Sequence, residues 1–261
     1  MGLTVRPAFV GGFEKVGEDG SWKADGEPSL DVFQRLGSNV TAMATINTDF
    51  AETEVDTRRT NLTRFPLFFP EKRTFFLEGS DVFDFGVGLS NFRSSDIVPF
   101  FSRRIGLYEG ETVPLEVGGK ISGKAGSTNF GGLVTRTGKV EDLVPATTMG
   151  AFRVKQNVLE ESTVGAIATF GDPSGAEGSY LVGADATYQT SRFRGSKNFI
   201  TGAWAMVTDR EGLSGDKTAF GAKIDYPNDV WDIALTYLRI GEDFNPAMGF
   251  VPRRGIHKLA G

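Results

Sequence analysis

The chain offers few side chains that could carry reactive chemistry. It contains no cysteine and a single histidine, His257. The missing cysteines exclude a disulfide framework, a thiolate metal site and a thiol nucleophile. One histidine excludes a histidine-based triad or a multi-histidine metal site within one chain, and a lone histidine is usually a surface or hydrogen-bonding residue. We therefore predict no cofactor and no metal site.

Carboxylates are the remaining reactive groups, and they are concentrated in one part of the chain. Two carboxylates at a suitable separation can hydrolyse a glycosidic bond, so glycoside hydrolysis is a candidate activity. Calcium binding is a second candidate role for these acids. They lack the spacing, glycine and terminal glutamate of an EF-hand loop. The acids form two groups, Asp49, Glu52, Glu54 and Asp56, followed by Glu71, Glu78, Asp81 and Asp84.

Basic residues occur in the same region in comparable number, and they offer a structural explanation for the acids. A segment that folds into the interior of a protein must pair its charges internally. We therefore favour charge pairing over catalysis and predict no catalytic residue. The predicted charge cluster consists of Asp49, Glu52, Glu54, Asp56, Arg64, Glu71, Lys72, Arg73, Glu78, Arg103 and Arg104.

A glycine-rich stretch, Gly118–Lys124, superficially resembles a phosphate-binding loop. It lacks the four-residue gap before Gly-Lys-[Ser/Thr], and it falls on a predicted strand instead of preceding a helix. We interpret its glycines as positions that allow close packing or a bend.

From residue 113 onward the chain repeats one pattern, a segment of about ten alternating residues followed by a turn. In one such segment Phe220, Ala222, Ile224 and Tyr226 share a face, opposite Gly221, Lys223 and Asp225. Side chains alternate across a strand, so each segment is predicted to be a strand with one apolar and one polar or small side. The segments are Pro114–Lys124, Thr128–Thr137, Thr147–Asn157, Thr163–Phe170, Ser179–Thr190, Asn198–Thr208, Thr218–Tyr226 and Val230–Ile240.

The first residues continue the pattern. Leu3–Val10 is predicted to be a strand and Gly11–Pro28 a polar loop. Leu30–Leu36 and Asn39–Asn47 are predicted to form a hairpin through Gly37 and Ser38.

Strand length and aromatic placement favour a membrane barrel. The segments have the length of a tilted membrane-spanning strand, longer than the average soluble strand. Aromatic residues such as Tyr180, Tyr188 and Trp231 lie near segment ends, as in interfacial girdles. A hydrophobic share of 39% also suits a barrel with a wet interior. A soluble β-sandwich that acts as a binding module shows the same alternation and stays an alternative.

Charge and hydropathy limit the other classes. The net charge is −5 and no basic stripe is present, so nucleic acid is not an expected partner. No apolar run approaches the length of a membrane-spanning helix. The expected class is all-β, an antiparallel transmembrane β-barrel with about 12 strands in this chain.

Residues Thr48–Val98 interrupt the strand pattern with prolines, dense phenylalanine and interleaved charge. Proline removes hydrogen-bond donors from a sheet, so this segment is not expected to be a lipid-facing strand. Inside a barrel it could fold into the lumen, where its charges would meet polar side chains. We therefore expect one incomplete barrel domain, with first strands at residues 1–47, an insert or plug at 48–98 and a strand meander at 99–261.

Several motifs resemble domain-of-unknown-function family 5916, whose members are predicted bacterial outer-membrane barrels. The most specific is Pro-Leu-Phe-Phe-Pro-Glu-Lys-Arg within Arg64–Gly79. The others are Asn47–Asp56, Phe101–Gly106, Gly118–Lys124 and Phe244–Arg253.

The resemblance implies a fragment of a barrel, located in the outer membrane, with outer-membrane lipid as a partner. Members of the family commonly carry a carbohydrate-binding domain before the barrel and further strands after it. This implies that missing strands or a partner chain complete the open edge. The expected function is uptake, export or docking of an extracellular ligand, and the carbohydrate-binding domain of the full-length family members implies a ligand related to glycans. A carbohydrate-active hydrolase is the alternative, and no catalytic residues carry over from the family.

Overall fold

The computed structural model describes residues 2–16, 21–48, 66–87, 90–91, 94–95 and 97–261. The chain begins with three antiparallel strands, β1 (Leu3–Val16), β2 (Ser21–Leu36) and β3 (Val40–Thr48). The prediction of a polar loop over Gly11–Pro28 is wrong for most of that stretch, because β1 and β2 pair continuously from Leu3 to Val16. Cross-strand pairing overrides the weak strand propensity of the glycine and acidic residues there. The predicted hairpin turn at Gly37 is confirmed, with a φ of 70°.

The insert connects β3 to the next strand of the large sheet, and its described residues form short elements. These are a helical turn, α1 (Thr74–Leu77), and 3-10 turns at Ser80–Phe83 and Ser102–Arg104. The described residues also form two antiparallel ribbons of two-residue strands. They are β4 (Ser90–Asn91) with β5 (Ser94–Ser95), and β6 (Leu107–Tyr108) with β7 (Glu111–Thr112).

The strand meander then resumes at Leu115 instead of residue 99. Most predicted segments agree with the observed strands to within about two residues, but the final short strand carries too little alternation to be predicted. The remaining strands are β8 (Leu115–Ala125), β9 (Thr128–Thr137), β10 (Thr147–Val158), β11 (Ser162–Phe170), β12 (Tyr180–Phe193), β13 (Lys197–Asp209), β14 (Thr218–Pro227), β15 (Asp232–Ile240) and β16 (Ile256–Ala260).

These strands form one 12-stranded antiparallel sheet in the order β1-β2-β3-β8-β9-β10-β11-β12-β13-β14-β15-β16. The all-β class and the expected strand number are therefore confirmed. Among the described residues β1 pairs only with β2 and β16 only with β15, so this sheet is not closed into a barrel. Since β3 and β8 are neighbours, the insert leaves and re-enters the sheet between adjacent strands.

The two faces of the sheet differ in what covers them. The insert face is the one to which Met43, Lys120, Leu133, Arg153 and Leu181 point, and all five are buried. Two hydrophobic clusters lie between this face and the insert. The opposite side, called the apolar face, carries exposed hydrophobic side chains on strand after strand. The core therefore lies on one side of the sheet only.

The connections at the two ends of the sheet differ in length. At one end, the turn end, the strands are joined by residues 37–39, 126–127, 159–161, 194–196 and 228–231. At the other, the loop end, the connections are residues 138–146, 171–179, 210–217 and 241–255, together with the insert. Among the described residues, no helix has the length and hydropathy needed to cross a membrane.

Candidate functional site

The insert packs along one face of the sheet, the insert face, and its apolar side chains lie over glycines of the strands. An added Cβ at Gly118 of β8 would lie 2.9 Å from Phe75 Cζ, and one at Gly183 of β12 would lie 3.0 Å from Phe85 Cζ. Gly131 of β9 lies under Val82 and Phe83 in the same way, and Gly202 of β13 lies under Val87. Because any larger side chain would push the insert away, these glycines form its docking track. The prediction that Gly118 allows close packing is confirmed.

Lys120 of β8 fixes the helical turn of the insert. Its ammonium donates hydrogen bonds to the carbonyl oxygens of Phe75 at 3.2 Å and Phe76 at 3.0 Å, and to that of Glu78. Carbonyls at the end of a helical turn lack donors within the turn, and a cation is favourable there. The lysine is 5% exposed, so this contact joins the insert to the sheet at a buried point.

A buried ion pair joins the sheet to the insert farther along the glycine track. Arg153 of β10 binds Asp185 of β12 with both guanidinium nitrogens, at 2.6 and 2.9 Å. The same guanidinium donates from Nε to the carbonyl oxygen of Asp84 at 3.1 Å and lies 5.0 Å from the centre of the Phe85 ring. Such bidentate geometry with additional hydrogen bonds is what makes a buried pair tolerable.

A third charged group lies within the insert itself. Arg73 donates to Glu71 at 2.8 and 2.6 Å and to the carbonyls of Ile105 and Ser102 at 2.7 and 2.8 Å. The Ser102 hydroxyl also donates to Glu71 at 2.5 Å. Burial opposes ionisation of this carboxyl, but the hydrogen bonds and charge of Arg73 outweigh it and lower the pKa of Glu71 to about 2. Glu71 is thus held as a carboxylate.

At the loop end, two distant motifs meet. The Phe101 amide donates to the Met248 carbonyl at 2.7 Å, and Arg104 Nε donates to the Gly249 carbonyl at 3.1 Å. The rings of Phe101 and Phe250 lie 5.4 Å apart. The sequence motifs Phe101–Gly106 and Phe244–Arg253 therefore form one contact, which the sequence did not reveal.

Asp172 anchors the loops beside this contact. Its carboxylate accepts hydrogen bonds from the Ser174 and Ser179 hydroxyls and forms an ion pair with Arg210 at 3.0 Å. Burial, and then the charge of Arg210, lower the pKa of the neighbouring Arg104. These groups hold the loop end together.

The predicted charge cluster is only partly brought together. Glu71 and Arg73, both members of that cluster, form an ion pair at 2.6 Å. Arg103 lies close by and donates to the Pro70 carbonyl at 3.1 Å, whereas Arg104 turns to Gly249.

The other predicted members are more scattered. Lys72 donates its backbone amide to Glu71 at 2.9 Å, and Glu78 contributes its backbone carbonyl to Lys120. Asp49, Glu52, Glu54, Asp56 and Arg64 lie outside the described residues.

The prediction from the sequence did not include Lys120, Arg153 and Asp185 as site residues. Each lies on the polar side of a predicted strand, but strand periodicity gives the face of a side chain and not its partner. Within the described part of the chain, no group of three or more histidine or acidic side chains could hold a metal ion.

Comparison with known proteins gives one match. Residues 3–125 match the family described as Domain of unknown function (DUF5916). The match runs from β1 to the end of β8 and includes the motifs from Asn47 to Lys124, while Phe244–Arg253 lies outside it. No curated protein and no solved structure matches the chain. The match over residues 3–125, which span the first strands and the insert, supports the assignment of this part of the chain to the DUF5916 family.

Proposed function

We propose that this chain is part of an outer-membrane β-barrel that takes up, exports or docks an extracellular ligand. The observation that carries the proposal is the apolar face. Lipid would cover that face, and the insert would occupy the lumen on the other side.

Exposed hydrophobic side chains on the apolar face run across nearly the whole sheet. Val134 is 40% exposed, Val182 44% and Ile224 52%. A soluble monomer rarely leaves so large a continuous apolar surface uncovered. Others on the same face are Val5, Phe9, Ile46, Ile121, Phe152, Val154, Val164, Val207, Phe220, Ile233 and Leu235.

The connections and aromatic residues fit the same arrangement. Outer-membrane barrels have short turns on one side of the membrane and longer loops on the other, as the turn end and loop end do here. On the apolar face, Phe170 and Tyr180 pair near the loop end, and Tyr188 and Tyr226 lie toward the turn end. Girdles of aromatic residues at both interfaces are typical of such barrels.

The insert supports transport or docking more than hydrolysis. Glu71, an acid that sequence alone left open as catalytic, is neutralised by Arg73 and has a pKa of about 2, too low for a general acid. Further strands or a partner chain would close the edges at β1 and β16. A link to glycans rests on the family resemblance.

The proposal can be tested with two adjacent single-cysteine variants, because the chain has no native cysteine. Ala186→Cys lies on the apolar face and Thr187→Cys on the insert face of β12. In full-length protein reconstituted into lipid vesicles, nitroxide labels are compared for collision with oxygen and with a water-soluble nickel chelate. We expect the label at 186 to favour oxygen and the label at 187 to favour nickel.

Equal access of both labels to the nickel chelate would favour the soluble β-sandwich. The soluble fold would also be favoured if the full-length protein stayed in the soluble fraction of carbonate-washed cells without detergent.

A further inference from the structure

The insert face carries more basic than acidic side chains. This imbalance appears among the strand residues whose side chains the structure describes. The basic residues are Arg6, Arg35, Lys120, Lys124, Arg153, Lys155, Lys223 and Lys258, and the acidic residues are Asp31, Asp185, Asp225 and Asp232.

The insert and the wall satisfy only some of these cations. Lys120 and Arg153 are bound by the insert and by Asp185, and Lys223 pairs with Asp225 at 2.6 Å. Lys124 and Lys155 form no ion pair with any residue that the structure describes. Both lie nearer the turn end than Lys120 and Arg153, the residues of the same strands that the insert binds.

Lys124 and Lys155 lie at the same level on the wall. Lys124 of β8 is opposite Asn129 of β9, and Asn129 is opposite Lys155 of β10. At the usual spacing of strands, the two lysine backbones are about 10 Å apart. Two cations at this separation, with an amide between them, can bind successive anionic groups of one extended ligand.

Hydroxyl and amide side chains extend the surface toward β12. Asn157 is opposite Thr163 and Thr163 is opposite Thr187, beyond which Val87 of the insert covers Gly202. These side chains can donate to and accept from the hydroxyl groups of a ligand. The surface is therefore both basic and rich in neutral hydrogen-bonding groups.

The carboxylates of the insert show that the insert face interacts with negatively charged groups. The carboxylates of Glu78 and Asp81 act on Lys120, and Asp84 lies in the field of Lys155. The wall thus already faces carboxylates of its own chain along its covered half. At Lys124, which is exposed, an incoming anion would meet the same kind of surface.

We infer that the turn-end half of the insert face binds an acidic oligosaccharide, with Lys124 and Lys155 contacting its anionic groups and Asn157 and Thr163 its hydroxyls. This inference rests on the proposed function, because the insert face becomes a lumen wall only in a closed barrel. It adds the ligand class, anionic and hydroxyl-rich, to that function.

The test measures binding of a galacturonic acid hexamer and of uncharged maltohexaose to the full-length protein in detergent at low salt. We expect the acidic hexamer to bind and 0.5 M salt to weaken it. The variant Lys124→Gln/Lys155→Gln should bind it about tenfold or more weakly, since it loses two charge-assisted contacts to the anionic groups. The control Lys139→Gln/Arg192→Gln removes the same charge from exposed sites and should bind like wild type.

Equal binding of maltohexaose, no binding of the acidic hexamer, or equal losses in both double variants would overturn the inference. Failure of the proposed function has a different signature, because the labels at 186 and 187 would then both face water. The failure of this inference can therefore be distinguished from the failure of the proposed function.

Discussion

Arg153 and Asp185 bind each other across an intervening strand. Arg153 is on β10 and Asp185 on β12, with β11 between them. The guanidinium reaches across because Gly165 of β11 has no side chain, and an added Cβ there would lie 2.6 Å from Arg153 Nη1. The pair also holds the backbone of Asp84, so it joins three strands and the insert in one contact.

Removing the acid of this pair should destabilise the protein. Asp185→Asn leaves the Arg153 guanidinium, which is 0% exposed, without a counter-charge. We expect the free energy of unfolding to fall by about 3 kcal/mol, as for other broken buried pairs. Denaturant unfolding in detergent micelles measures this change. Glu160→Gln breaks an exposed pair with Arg192 and should cost under about 1 kcal/mol.

A methyl group under the guanidinium should disturb the same pair without changing any charge. We expect Gly165→Ala to cost about 1–3 kcal/mol, because the added Cβ also meets the Val154 carbonyl oxygen at 2.8 Å. Gly119→Ala is the matched control, since nothing lies within 4 Å of its added Cβ. Similar stability of the two variants in the same unfolding assay would show that the Arg153–Asp185 pair does not depend on the missing side chain at Gly165.

Loss of the Lys120 ammonium should loosen the helical turn of the insert. Lys120→Met leaves the carbonyls of Phe75, Phe76 and Glu78 without this donor. We expect amide hydrogen exchange at Leu77 and Glu78, whose amides close the turn, to accelerate about tenfold or more. Lys124→Met, four residues along the same strand, should leave these amides unchanged. Unchanged exchange in Lys120→Met would mean that the glycine track alone holds the turn.

Acid should weaken the insert through Glu71. Its pKa is about 2 in the folded chain, below the ordinary value of 4.5, so the folded state binds the proton more weakly than the unfolded state. The stabilisation is therefore fully present above about pH 4.5 and is lost as the pH falls toward 2. We expect roughly 2–3 kcal/mol of this loss to come from Glu71. Glu71→Gln should be less stable at neutral pH and lack that share of the acid dependence, as denaturant unfolding at a series of pH values would measure.

The strands could be predicted from the sequence because alternation reports local geometry. Thr128–Thr137 was predicted at its observed bounds, and the faces of β14 were assigned correctly. Pairing is not local, which explains why the extension of β1 and β2 through glycine and acidic residues was missed. The Arg153–Asp185 pair was missed for the same reason, since its residues are 32 positions apart.

The insert was recognised because its composition breaks the strand pattern, but its contacts were not predictable. The acids and bases of the segment suggested one cluster, whereas Arg104 instead binds a carbonyl 145 positions away. The glycines under Phe75 and Phe85 looked like generic strand glycines. Only the packing of the insert shows that each one matches a particular aromatic side chain.

The glycine track also determines an order of folding. The strands of the sheet are mostly sequential neighbours, so they can pair one after another as a meander. The insert precedes β8 in the chain, yet Val87 covers Gly202 of β13 and the Phe101 amide donates to the Met248 carbonyl after β15. It therefore cannot dock completely until the strands from β8 to β15 have paired and the loop that follows β15 has folded.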